Sequence, residues 1–170
     1  MNETIPISTP LPQGSLFGVI SRLATAIAHA GNADRAAIKR WSIGRPLPMA
    51  FYRLWLLKIG EEFPPESQIT SWALLAWGLA LMGGRHDPKR SLGTALAKSG
   101  LHEMRLERLL QADKDLRPFL FASIVRFLAV KDESFDWTQA AAFLLTHDSE
   151  KREALHRRIA ADYYRHLSLD

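Results

Sequence analysis

The most concentrated chemistry in this sequence is a run of positive charge between Asp34 and Glu61. The segment contains no carboxylate and six basic side chains: Arg35, Lys39, Arg40, Arg45, Arg53 and Lys58. Removing these six from the 22 basic residues leaves 16 against 18 acidic ones, so the formal net charge of +4 hides a slightly acidic remainder. Unpaired positive charge attracts a polyanion, because each neutralised phosphate releases condensed counterions. A solvated helix face with one or two structural anchors is the alternative interpretation.

Further basic residues recur at helical spacing outside this segment. Arg105 and Arg108 lie three residues apart, which places them on one face of a helix. Lys151 and Arg152 open the last predicted helix, where cations oppose the helix dipole. An external phosphate would offset that cost, and so would the neighbouring glutamates of the same turn.

Arg126 is the lone interior charge of an apolar predicted helix, away from Arg117 at its start. A buried ion pair with Asp132 or Glu107 would explain it, and so would a phosphate held in a groove, so both interpretations stay open. Together with the residues above, it completes the set of predicted nucleic-acid contacts: Arg35, Lys39, Arg40, Arg105, Arg108, Arg126, Lys151 and Arg152.

The sequence offers little for catalysis. Its six histidines are dispersed, and the zinc-protease pattern that His102 and Glu103 begin has Leu106 in place of the second histidine. The absence of cysteine excludes disulfides, thiolate metal sites and cysteine nucleophiles. Neither a Walker motif nor a GxGxxG motif is present. We therefore predict no enzyme activity, no catalytic residue, no metal site and no cofactor.

The elements that must position the basic residues are predicted to be helices. Apolar residues recur at helical spacing over residues 15–30, and no window alternates as a strand would. Prolines, glycines and capping residues delimit further helices at 34–41 (capped by Asp34 or Asn32), 48–60, 67–81 (capped by Ser67), 91–100, 104–112, 116–130, 136–145 and from 149 onward. The helix at 116–130 is apolar on nearly every face and is predicted to be buried. Eight or nine helices make an all-α fold, either a compact bundle or two small lobes.

The ends and the loops indicate how the chain is organised. Residues 1–14 contain three prolines and are predicted to be an extended or disordered arm before an all-helical domain at 15–170. The RHDPKR loop, within residues 84–90, is the predicted seam between two lobes. The longest apolar run, 72–82, is about half of the roughly 20 residues that a membrane span needs. The N-terminus fits neither a secretory signal nor a transit peptide. We expect a cytoplasmic protein without membrane contact.

Six pieces of the sequence, in order, resemble the CasB family, the small helical subunit of the type I-E CRISPR surveillance complex called Cascade. They are ADRAAIKRW (33–41), PLPMAFYRL (46–54), SLGTALAKSG (91–100), EMRLERLLQAD (103–113), VRFLAV (125–130) and FDWTQAAAFLL (135–145). The most specific is the SLGxALAxSG pattern followed, after three residues, by xRLxRLLxAD. The resemblance covers most of the chain from residue 33 to about residue 152.

The resemblance implies a noncatalytic, all-helical subunit that is present twice in Cascade, head to tail along the inside of the guide-RNA filament. Its implied partners are the backbones of guide RNA and target DNA, the displaced strand of the R-loop, a second copy of itself, and other Cascade subunits including the backbone filament and the large subunit. The positions that match the family's nucleic-acid-contacting residues are Lys39, Arg40, Arg105, Arg126, Lys151 and Arg152. Spacing alone adds Arg35 and Arg108.

Two other functions are compatible with the sequence. A helical assembly protein would use the same basic patch to bind acidic protein partners and would not touch nucleic acid. A helix-turn-helix regulator would use the second and third helices, although the WSIGRPLP connection between them is longer than the usual turn of three or four residues.

Overall fold

The computed structural model describes residues 15–168, and this part of the chain contains nine α-helices, one π-helical segment and no strand. The elements are α1 (Leu16–Ala28), α2 (Asn32–Arg40), α3 (Met49–Arg53) with the π segment (Leu54–Ile59) continuing it, α4 (Glu66–Leu81), α5 (Leu92–Lys98), α6 (Glu103–Gln111), α7 (Arg117–Val130), α8 (Trp137–Leu145) and α9 (Ser149–Leu167). The predicted all-α fold is confirmed. The predicted arm at 1–14 lies outside the described residues.

Several helices begin where a side chain caps them. Ser15 Oγ accepts the Gly18 N–H of α1 at 3.2 Å, and Ser91 Oγ accepts the Thr94 N–H of α5 at 3.2 Å. Each bond satisfies one of the backbone donors that a helix leaves free in its first turn. These caps fix the start of a helix locally, which is why the sequence alone could place them.

Two predicted caps are wrong. Neither Asn32 nor Asp34 caps α2, which begins after Gly31, and Ser67 lies inside the first turn of α4. The residue before α4 is Pro65, with φ −56° and ψ 149°. Proline holds the extended conformation that a helix needs at this position, so α4 starts without a capping side chain.

One contiguous hydrophobic core receives side chains from all nine helices and from the π segment. Its centre is α4, in which every residue from Trp72 to Ala80 is buried. Aromatic rings pack around it edge to face, with the centroids of Trp55 and Trp72 4.9 Å apart. The division into two lobes near residues 84–90 stays a prediction.

Glycine allows α5 and α9 to approach at backbone distance. A Cβ atom on Gly93 would lie 2.2 Å from the Ile159 carbonyl oxygen and 2.9 Å from the Tyr163 nitrogen, so no other residue fits without displacing a helix. The Tyr163 hydroxyl also donates to the Leu101 carbonyl at 2.6 Å. These contacts fix α9 against the segment that leads into α6, and thereby place the first turn of α9 relative to α6.

Helix α7 is exposed on one face, contrary to the prediction that nearly all of it is buried. It packs mainly on α4 and α6, and its core-facing side chains, such as Phe121 and Val125, are fully buried. Its outer face leaves Leu116, Phe119 and Val130 exposed. A helix that is apolar on every side does not reveal from its sequence which side its neighbours cover, and two neighbours do not surround it.

Candidate nucleic-acid interface

Helices α6 and α7 bring two cations onto one aromatic ring. The guanidinium carbon of Arg105 lies 5.1 Å from the centroid of the Phe127 ring, and Lys131 Nζ lies 5.8 Å from the same centroid. Arg105 also donates a hydrogen bond to Ser123 Oγ at 3.3 Å. Attraction to the electron-rich ring face positions both cations but brings no negative charge to neutralise them. Their full charge therefore remains available to an anion.

Arg126 lies at the opposite edge of the outer face of α7. Its guanidinium carbon is 4.9 Å from the centroid of Trp77, a buried residue of α4, and its side chain is exposed. No carboxylate within residues 15–168 forms an ion pair with it, so the interpretation of Arg126 as a buried ion pair is wrong. Asp132 pairs with Arg85 at 2.5 Å instead, because the chain turns away after α7 with φ 58° at Asp132.

We call this group the α6–α7 cationic surface and define it by Arg105, Arg126, Lys131, Ser123 and Phe127. The sequence prediction included the two arginines and missed Lys131. The sequence spacing could have predicted Lys131, because it follows Phe127 by four residues, the spacing at which side chains meet on a helix.

Arg108 lies one turn after Arg105 on α6 and is exposed. It forms no ion pair among the described residues. No side-chain contact joins it to the α6–α7 cationic surface, so its place beside that surface rests on helical spacing alone.

The basic segment of residues 35–58 is partly occupied by structural roles. Arg35 donates to the carbonyl oxygens of Ala28 and Ala30 at 3.2 and 2.9 Å, at the end of α1. Arg53 forms an ion pair with Asp34 at 2.7 Å. A cation beside free carbonyls at a helix C-terminus is a stabilising arrangement. These two arginines are therefore structural anchors, as the alternative interpretation of this segment expected.

Lys39 and Arg40 differ from the anchors just described. Both side chains are exposed in the last turn of α2, and neither forms an ion pair within residues 15–168. Helix α2 packs on α3 and α4, whereas α7 packs mainly on α4 and α6. The side-chain contacts therefore do not connect these two cations with the α6–α7 cationic surface.

Lys151 and Arg152 open α9 beside a cleft of about 510 Å³. Asp148 caps this helix by accepting the Lys151 N–H at 2.9 Å, and its carboxylate offsets the unfavourable position of the two cations. Arg152 lines the cleft together with Leu110, Gln111, Ala112, Ser149, Glu153 and His156. The cleft is thus formed by the end of α6 and the beginning of α9.

Two further groups belong to this part of the structure: His156, which lines the cleft, and Arg117, which bonds to Ala112 at its edge. Burial lowers the pKa of His156, whose ring packs on Phe143 at 5.7 Å, while Glu153 raises that pKa and Arg152 lowers it. Sequence reasoning missed Arg117, which is only 4% exposed, donates to the Ala112 carbonyl at 3.1 Å and lies 5.7 Å from the centroid of Phe143. No motif distinguishes Arg117 from an exposed arginine at the start of a helix.

The described residues contain no group of three or more His, Asp or Glu side chains placed to hold a metal ion. Within residues 15–168, no helix is long and apolar enough to cross a bilayer. The chemical feature of the α6–α7 cationic surface is positive charge held on aromatic rings.

An all-helical fold of this kind is found in proteins of CRISPR systems. A chain in the crystal structure of E. coli Cascade bound to a PAM-containing double-stranded DNA target is 29% identical, with 84% of this chain and 95% of that chain covered and a TM-score of 0.63. CasB from M. ruber (19% identity, 88% and 94% covered, TM-score 0.67) and a Cse2-family protein from Thermus thermophilus (24%, 88% and 95%, 0.64) share the fold.

The family follows from the sequence itself. The sequence model described as CRISPR-associated protein Cse2 matches residues 34–164, so the chain belongs to the Cse2 family. The resemblance to CasB that the six sequence pieces indicated is thereby confirmed. No curated protein matches the chain significantly.

Proposed function

We propose that this chain is a noncatalytic, cytoplasmic subunit of a type I-E CRISPR effector, Cascade, and that it binds sugar-phosphate backbones. The strands bound would be guide RNA, target DNA and the displaced strand of the R-loop. Membership of the Cse2 family and the likeness to a chain of DNA-bound E. coli Cascade support the subunit role. Its other partners would be the backbone filament, the large subunit and a second copy of itself.

The observation that carries the binding role is the α6–α7 cationic surface. Arg105, Arg126 and Lys131 are positioned by Phe127 and Trp77, not by carboxylates, so the surface keeps its positive charge. Phosphate contacts of this kind fix the position of a strand without reading its sequence. A subunit that must hold any guide and any target needs this property.

Such contacts have a large effect because R-loop formation is nearly balanced. The heteroduplex that forms is about as stable as the DNA duplex that it replaces, so protein contacts to the backbones tip the exchange. The remaining predicted contacts would extend the path of the strand beyond the α6–α7 cationic surface: Lys39, Arg40, Arg108, Lys151, Arg152 and Arg35. Arg35 would contribute least, because it already donates to two carbonyls.

The test is the salt dependence of binding to labelled single-stranded DNA of mixed sequence. The Arg105→Gln/Arg126→Gln double variant should bind more weakly and show a slope of log affinity against log salt that is shallower by about 1.4, at about 0.7 per lost phosphate contact. The control is Arg157→Gln/Arg158→Gln, which removes the same charge from exposed positions of α9. It should leave the slope unchanged.

Two results would contradict the proposal. An unchanged slope in the double variant would remove the α6–α7 cationic surface from the interface. A failure of the unmodified chain to retain any oligonucleotide at low salt would favour the assembly protein, which binds acidic protein partners and no nucleic acid.

A further inference from the structure

The outer face of α7 combines exposed apolar side chains with the cations that flank it. Phe119 is 55% exposed and Val130 is 85% exposed, and both lie on the same side of the helix as Arg126. Exposed apolar groups that cluster on one helix face indicate an interaction site more often than single scattered ones do. Phosphate binding alone gives no reason for an exposed phenylalanine at this place.

The spacing makes this face a linear strip. Phe119, Ser123, Arg126 and Val130 follow at intervals of four, three and four residues, which keeps them on one side of an α-helix. Eleven residues at 1.5 Å each give a strip of about 16 Å. Arg105 and Lys131 lie along one edge of it, over the Phe127 ring.

The charge of the strip selects a polyanion as its occupant. From residue 116 to residue 131 the sequence contains no carboxylate. Among the described residues, none of the three cations of the surface has a carboxylate partner. A protein partner would have to bring no cations of its own to the strip, because no negative group there could pair with them, whereas a nucleic acid supplies only negative charge.

We infer that this strip binds the bases of a single strand as well as its phosphates, with Phe119 stacking on a base and Val130 packing against a neighbouring base or sugar. In a duplex the base faces are covered, so only a single-stranded segment offers apolar faces and phosphates together. The inference deepens the proposed function and rests on it. Stacking on an aromatic side chain tolerates every base, so it adds affinity without sequence preference.

The experiment compares two strands of equal length and equal charge. One is single-stranded DNA of mixed sequence, and the other carries abasic sites throughout. The full chain should bind the strand with bases at least about fivefold more tightly, the lower end of the usual effect of one stacked base. Phe119→Ala should remove most of this preference, with the remainder due to Val130, while leaving both the affinity for the abasic strand and the salt slope unchanged. Phe119→Trp should retain the preference.

Phe17 supplies the matched control, because it is an aromatic residue of α1 with a similar exposure of 50%. Phe17→Ala should keep the full preference for bases. Equal affinity of the unmodified chain for the two strands, or an unchanged preference in Phe119→Ala, would overturn the inference and leave the proposed function standing. Absence of binding to both strands would instead overturn the proposed function and the inference with it.

Discussion

Two regions of this protein hold positive charge in different ways. Around α1, α2 and the π segment, carboxylates hold some of the arginines: Arg22 pairs with Glu61 at 2.6 Å and Arg53 pairs with Asp34 at 2.7 Å. On the α6–α7 cationic surface, aromatic rings position Arg105 and Arg126. The first region is the more basic in sequence, yet the second has the larger fraction of its charge unpaired, because none of its three cations has a carboxylate partner among the described residues.

The difference shows that the density of basic residues does not measure the charge that a ligand meets. A carboxylate neutralises its partner, whereas an aromatic ring attracts a cation through its quadrupole and has no net charge. A cation on a ring therefore keeps its field and its outward N–H groups. The ring also restricts the side chain, so less conformational entropy is lost when a phosphate binds.

The largest expected difference between an anchored arginine and an unpaired one is in the stability of the fold. Arg35→Ala removes two hydrogen bonds from a charged donor to the carbonyls at the end of α1, and we expect a loss of about 1–2 kcal/mol in the free energy of unfolding. Arg40→Ala, from an exposed position without an ion pair among the described residues, should change it by less than about 0.5 kcal/mol. Urea denaturation measures both. Equal losses would contradict the assignment of Arg35 as an anchor.

The next effect is on binding, and it separates paired from unpaired cations within the first region. Lys39→Gln/Arg40→Gln should lower the salt slope for single-stranded DNA by about 1.4, because two phosphate contacts are lost. Arg22→Gln/Arg53→Gln removes the same charge, but from arginines that are paired with Glu61 and Asp34. This control should leave the slope unchanged. An equal fall of the slope in both variants would break the distinction between paired and unpaired cations.

The sequence predicted the local features of this fold and missed the distant ones. Helix limits followed from caps and spacing because these act within one turn, as Ser91 does for α5. The ion pair of Arg53 with Asp34 joins residues 19 apart, and that of Arg22 with Glu61 joins residues 39 apart. No pattern in the sequence specifies such pairs, since they depend on how α1, α2 and α3 pack.

The candidate site shows the same limit. The sequence predicted Arg105 and Arg126 as nucleic-acid contacts, but it left open whether Arg126 is buried in an ion pair, because this depends on where the chain turns after α7. It predicted Phe119 to be buried, because a helix that is apolar all round gives no sign of its exposed face. The burial of Arg117 was equally hidden, since its neighbours Ala112 and Phe143 come from other elements.

The smallest expected effect is on the pH dependence of stability, and it comes from buried histidine. Burial disfavours the charged form of a histidine side chain. His86 Nδ1 accepts the Trp137 N–H at 3.1 Å, and burial lowers its pKa although Asp136 and Asp87 act to raise it. The unfolded chain therefore binds this proton at a higher pH than the folded chain does. Stability is full above the ordinary histidine pKa of about 6.5 and declines as the pH falls from there through the lowered pKa. Thermal unfolding between pH 8 and pH 5 measures the decline.

His156 contributes a decline of the same sign, since burial lowers its pKa as well. His86→Asn isolates the first contribution, because the asparagine side-chain oxygen can accept the same N–H and carries no proton in this range. We expect the pH dependence of the melting temperature to become shallower in this variant and to remain in part. A melting temperature of the unmodified chain that is constant from pH 8 to pH 5 would contradict the neutral state of both buried histidines. If the melting temperature of His86→Asn depends on pH as steeply as that of the unmodified chain, the neutral state of His86 alone would be contradicted.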